Sequence, residues 1–131
     1  MFKLSCAKKC PQRPFDSLKI ALTREREELY ARIDQRVDEM LASGLLAEVE
    51  SVTAHRHHNA LQTVGYQEIF DFLDDKQDWP ETVRLLKRNT RRYAKRQLTW
   101  LRRDPAYHWL HPDAAEEEIM ALLAAHPHER A

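Results

Sequence analysis

Lys87, Arg88, Arg91, Arg92, Lys95, Arg96, Arg102 and Arg103 fall between Leu85 and Arg103, and no acidic side chain interrupts them. The formal net charge of the 131-residue chain is +0, so the overall balance conceals a cationic arm. Coiled as a helix at about 1.5 Å per residue, the arm runs roughly 30 Å. Val83, Leu86, Tyr93, Ala94 and Leu101 then share one side, and Arg88, Arg92, Lys95 and Arg102 the other. Such a helix docks on a protein body and offers fixed cations to an extended polyanion, and nucleic acid is the polyanion that fits best. A merely solvated face ordinarily mixes both signs.

Other chemistries are limited by what is scarce. A loop that cradles phosphates needs glycines at short fixed separations, and only Gly44 and Gly65 are present, too far apart for either GxxxxGK[ST] or GxGxxG. Nucleotide or diphosphate binding must come mostly from elsewhere. Cys6 and Cys10, the two cysteines, are expected to be free thiols of a reducing compartment. Their Cys-x3-Cys spacing is not a usual zinc pattern, and His55, His57 and His58 lie in a polar, turn-like stretch, so no metal site is assigned. No apolar run approaches the roughly 20 residues that cross a bilayer, and the N-terminus lacks the apolar segment of a signal peptide. The expected location is the cytoplasm, away from membranes.

The elements that must position these residues follow from periodicity. A basic tail or severed linker, 1–16, precedes a strand at Leu18–Leu22. Thr23 is the expected N-cap of a helix carrying Leu29, Ile33, Val37, Met40 and Leu41 as its apolar stripe, ending near Gly44. Helical spacing continues over Leu45–Thr53, stops at His55–Asn59, and resumes over Thr63–Leu73 with Ile69, Phe70 and Leu73 inward. Asp78-Trp79-Pro80-Glu81 has the form of a capping sequence opening the basic arm. Tyr107–Leu110 reads as a second strand, then Pro112 and Asp113 open a last helix with Ile119, Leu122 and Leu123 inward, and 127–131 is a tail. The expected fold is mainly α with two short strands. Two such strands are marginal alone, so residues 17–126 are expected to be the C-terminal part of a larger α/β protein with further strands upstream.

Four segments carry a resemblance: Arg26-x2-Leu29-Tyr30-x-Arg32-Ile33-x2-Arg36-Val37-Asp38-x-Met40; Gly44-Leu45-x2-Glu48-Val49; Gln62-Thr63-Val64-Gly65-Tyr66-Gln67-Glu68; and Asn89-Thr90-Arg91-Arg92-Tyr93-Ala94-Lys95-Arg96-Gln97-Leu98-Thr99-Trp100. In this order and separation they resemble the C-terminal portion of the bacterial tRNA dimethylallyltransferases, the isopentenyl-tRNA transferase family. The resemblance implies a P-loop-like α/β transferase core with a helical insertion. It implies transfer of a dimethylallyl group from dimethylallyl diphosphate to N6 of the adenosine 3′ of the anticodon, with magnesium in the complete enzyme. The phosphate loop and the aspartate general base belong to the family's N-terminal half, so this chain is expected to be inactive alone and to hold no catalytic residue.

The resemblance places Arg36 against the diphosphate, with Arg32 one turn earlier as second choice. Arginine suits that work because its planar fork pairs two oxygens at once. The ordinary reading, preferred for Arg32, is pairing along the helix, with Glu28 or with the acidic neighbours of Arg36. Gln62, Gly65, Tyr66 and Gln67 form the expected contact with the tRNA anticodon stem-loop, where glycine permits close backbone approach and an aromatic ring stacks on an extracted base. Lys95, Arg96 and Gln97, followed by Arg91 and Arg92, are the expected RNA-backbone contacts, while Leu98 and Trp100 are assigned to tertiary packing. Two alternatives remain open: a stand-alone helical RNA- or DNA-binding module, and an accessory subunit that completes another chain.

Overall fold

In the computed structural model, which describes residues 17–125, the apolar stripe from Leu29 to Leu41 coils into α1 (Arg26–Ala42) with Val37 fully buried. The helix opens later than expected. Its first intrahelical bond runs from the Leu29 N–H to the Glu25 carbonyl, so Glu25 is the N-cap, and Thr23 lies outside. Gly44, at φ 98°, turns the chain directly into α2 (Leu45–Ser51), a left-handed step that glycine takes without a Cβ penalty. Two 3₁₀ turns, Thr53–His55 and Asn59–Leu61, end the helical spacing two residues earlier than expected.

Helix α3 spans Tyr66–Leu73 rather than starting at Thr63, because Gly65 adopts φ 108°, outside the helical region. Asp78 accepts a hydrogen bond from the Glu81 N–H (2.8 Å) and starts α4 (Trp79–Leu101). The Glu81 side chain does not close a capping box; it pairs with Arg84 at 2.6 Å. Helix α4 packs on α1 and α3, and α2 packs on the same two. Val37, Leu45, Val49, Ile69, Phe70 and Leu86 form the core of this unit, which comprises Thr23–Pro105. Leu86 faces inward as expected, but Tyr93 is 49% exposed, so the buried stripe of α4 runs through Thr82, Leu86 and the half-buried Asn89 and Thr90 instead.

The second unit joins residues before Thr23 to those after Pro105. Strands β1 (Lys19–Leu22) and β2 (Tyr107–Leu110) pair in parallel, in register from Lys19↔Tyr107 to Leu22↔Leu110. Ala21 and Leu110 are buried, and Lys19 lies over the Tyr107 ring at 5.7 Å. In α5 (Ala115–Ala125), Ile119 and Leu122 are half-buried as expected, whereas Leu123 is exposed and Ala115 takes the buried position. The tails and both cysteines lie outside the described residues.

Candidate nucleic-acid interface

Three segments distant in sequence converge in the helical unit. Arg36 and Met40 from α1, Leu45 and Glu48 from α2, and Val64, Gly65 and Tyr66 at the start of α3 line one open cleft of about 500 Å³. Arg36 and the Gly65–Tyr66 pair, assigned to separate tasks, therefore share a cavity. The Arg36 side chain is 70% exposed, and its Glu39 partner stands 3.8 Å away, a weak i, i+3 pair that leaves the guanidinium accessible. Arg32 lies one turn earlier, in an adjoining groove of about 410 Å³ that also takes in Arg36 and Thr90. Glu28 pairs with Arg24, so the expected Glu28–Arg32 pair is not formed.

The Tyr66 hydroxyl donates to the Glu48 carboxylate across the cleft. That bond, reinforced by partial desolvation and the nearby negative charge, raises the phenol above its ordinary value and keeps it protonated. The turn before Tyr66 is fastened at both ends. Gln62 Nε2 donates to the Arg56 carbonyl at 2.7 Å, and Arg56 forks onto both oxygens of Asp74 at 2.7 and 2.5 Å. Hydrogen bonds from Arg56, then Lys76, hold Asp74 well below the usual carboxylate range. At the other end the Gly65 N–H donates to Glu68 at 2.8 Å. Gln67 is exposed.

The cationic arm is not uniform. Lys87 reaches Asp38 (2.7 Å) and Arg91 reaches Asp34 (2.7 Å), so two of its cations hold α4 to α1, and Arg91 also lies over the Tyr30 ring at 5.8 Å. Arg92, Lys95, Arg96 and Gln97 are exposed. Trp100, assigned above to packing, is 64% exposed; with Tyr93, Arg96 and Gln97 it recurs at i, i+3, i+4 and i+7, a spacing that groups them on one side of α4. Arg96 stacks over Tyr93 at 5.7 Å. Cations interleaved with exposed aromatic rings can meet phosphates and unpaired bases together.

Glu48, Glu68 and Asn89 stand in the segments that carry the resemblance, but sequence reasoning gave none of them a role. A glutamate three residues after the Gly65 cap is a readable signal for Glu68, and Asn89, three residues after buried Leu86, marks a polar group on an apolar stripe. Nothing local marks Glu48. His57 and His58 stack at 4.5 Å between ring centroids, but no group of three His, Cys, Asp or Glu side chains among the described residues could hold a metal.

The IPP transferase family model matches residues 2–104. The tRNA dimethylallyltransferase of Cytophaga hutchinsonii is 55% identical over 106 residues, covering 81% of this chain and 35% of that protein. The tRNA dimethylallyltransferase 1 of Bacteroides thetaiotaomicron is 50% identical over 112 residues, covering 86% and 36%. The chain thus spans about a third of the length of these relatives. Among solved structures, the full-length tRNA isopentenylpyrophosphate transferase of Bacillus halodurans superposes with a TM-score of 0.78 at 39% identity, over 82% of this chain and 38% of the other. The tRNA delta(2)-isopentenylpyrophosphate transferase of Staphylococcus epidermidis gives 0.78 at 33% identity, over 85% and 39%.

Proposed function

We propose, from the premise that this chain belongs to the IPP transferase family, that it is the C-terminal, tRNA-gripping portion of a cytoplasmic tRNA dimethylallyltransferase. The complete enzyme transfers a dimethylallyl group from dimethylallyl diphosphate to N6 of the adenosine 3′ of the anticodon. In that reaction the N6–carbon bond forms, the carbon–oxygen bond to diphosphate breaks, and N6 gives up a proton to a base. The growing negative charge on the leaving diphosphate needs fixed cations. The observation that carries the reading is the cleft that joins Arg36 to Gly65 and Tyr66, placing a fork-shaped cation beside a backbone turn and ring suited to an extracted base. Gln62 and Gln67 flank that turn; Arg92, Lys95, Arg96 and Gln97 contact the RNA backbone, while Arg91, paired with Asp34, supports the arm from α1.

The two glycines of the chain form no phosphate-loop pattern, in keeping with the resemblance, which assigns the phosphate loop and the general base to the N-terminal half of the complete enzyme. Magnesium, the ion implied for the complete enzyme, is usually held by one or two carboxylates together with phosphate oxygens and water; no group of three His, Cys, Asp or Glu side chains among the described residues could hold it unaided. No step is assigned to it here.

The test is salt-dependent binding of this chain to an anticodon stem-loop RNA. Affinity falls steeply with salt, and neutralising Lys95 and Arg96 together flattens the log–log slope by about 1.4 to 1.8, at about 0.7 per single-strand and 0.9 per duplex phosphate. An unchanged slope in a folded double variant removes those residues from the interface. With the phosphate-loop half joined, Arg36→Ala lowers turnover about 10²- to 10³-fold, as for loss of an oxyanion donor, with little change in RNA affinity. Arg36→Lys recovers little of it, since an ammonium lacks the fork. Normal turnover with weakened RNA binding would move Arg36 from the diphosphate to the RNA.

A further inference from the structure

Glu68 is a charged residue type only 5% exposed, between helices whose other contacts are largely apolar. Burial of such a group is tolerated only with specific partners. One side-chain oxygen accepts from the Gly65 N–H at 2.8 Å, and the other accepts from Asn89 Nδ2 at 2.7 Å. Its main-chain carbonyl accepts from Gln77 Nε2 at 3.0 Å, and the same amide reaches Thr82 Oγ1 at 3.1 Å. No buried side-chain nitrogen or oxygen among the described residues lacks a partner, so the network is closed. One bond therefore ends on the positive-φ turn that presents Tyr66 and Gln67. The other ends on α4, roughly 9 to 12 Å along the helix axis from Lys95, Arg96 and Gln97.

We infer that Glu68 is a positioning residue: it ties the Gly65–Gln67 turn to α4 so that the turn and the cationic arm meet RNA as one preorganised surface. The inference rests on the RNA-binding reading above. Gly65 supplies no side chain to hold its own backbone, and as the positive-φ residue that caps α3 its N–H has no intrahelical acceptor to fall back on. Without the carboxylate, the turn would have to be ordered as RNA binds, and that ordering is lost from affinity.

The test uses the full chain and an anticodon stem-loop RNA, with deuterium exchange read over residues 62–67. Glu68→Met keeps the approximate volume and removes both acceptors. It should weaken RNA binding about tenfold, equivalent to about 1.4 kcal/mol, and speed exchange over the turn. Glu68→Gln should rescue both readouts: its oxygen accepts from Gly65, and its amide donates to Asn89 Oδ1 once that side-chain amide turns over and gives up the long, 3.2 Å bond it accepts from the half-buried Arg88. A structural role for the negative charge alone would not be rescued, so a Glu68→Gln variant as weak as Glu68→Met overturns the inference. If Glu68→Met does not fold, the half-buried Asn89→Ala decides, since it leaves Glu68 on the turn and removes its tie to α4, together with the 3.2 Å bond that Asn89 accepts from its neighbour Arg88. Wild-type affinity and exchange in folded Asn89→Ala overturn the proposal; faster exchange and weaker binding support it. A wild-type chain that binds no RNA refutes the RNA reading instead, and exchange over 62–67 in Asn89→Ala then decides the tether by itself.

Discussion

A phenol that donates to a carboxylate resists losing its proton, and Tyr66 is in that position opposite Glu48. Its folded-state value is raised, so the contribution of the bond is complete below the ordinary value of 10.0 and is lost as pH rises through the folded value. In an alkaline absorbance titration, Tyr66, identified by its loss in Tyr66→Phe, should ionise above pH 10, and Glu48→Gln should bring it down. No difference between wild type and Glu48→Gln would deny the hydrogen bond in solution. Asp74 has the opposite sign: held low by Arg56 and Lys76, it keeps the Arg56 clamp intact above its unfolded value, about 4, and releases it only as pH falls through the lower folded value. The Asp74 carboxyl carbon resonance should therefore stay in its ionised position at pH 4, where a free aspartate is half protonated. Gly65 and Tyr66 were legible in the sequence because their chemistry is intrinsic to residue type. Glu48 was not, because it meets Tyr66 only after α2 and α3 pack.

Helix α4 shows how far a charge pattern can be read. Its existence, its Asp78 cap and its one-signed run were all legible, since capping and periodicity are local. The division of its cations was not, because Asp34 and Asp38 lie 57 and 49 residues upstream of their partners. The same tertiary origin explains Trp100: an aromatic residue near an apolar stripe reads as packing until the helices assemble and leave it largely exposed among the described residues. Arg91→Ala should lower stability by about 1 kcal/mol or less in denaturant titration, the usual worth of such a pair, and leave the salt slope of RNA binding unchanged. A slope reduced by about 0.7 to 0.9 would instead count Arg91 among the phosphate contacts. The turn residues were misjudged for a simpler reason. Thr63 and Val64 continue the apolar spacing of α3, but the backbone of Gly65 breaks the helix whatever the side chains prefer.

For the molecule as a whole, the small core and the missing phosphate loop set the expectations. Ile69 is 0% exposed, and Ile69→Ala should cost about 2 to 5 kcal/mol. Against a total of about 5 to 15 kcal/mol for a typical domain, that can unfold much of the helical unit at 37 °C, which far-ultraviolet dichroism would record. Incubated with tRNA, magnesium and dimethylallyl diphosphate, the chain alone should leave N6 unmodified by mass spectrometry, and product would refute its reading as an incomplete enzyme. The mainly helical class was visible in the periodicity, but the parallel pairing of β1 and β2 was not, since each strand is four residues long and its partner lies beyond the whole helical unit. That pairing also orders events in time. Two strands so far apart in sequence must close a long loop before any ladder bond compensates for it, whereas the helices gain contacts over short separations. During refolding, helical dichroism should therefore recover before the fluorescence of Trp109 on β2, followed in a variant with Trp79 and Trp100 replaced by phenylalanine. Simultaneous recovery would mean that the strands zip as the helices collapse. Sequential recovery would make the helical unit a preassembled clasp that brings β1 and β2 within reach of each other.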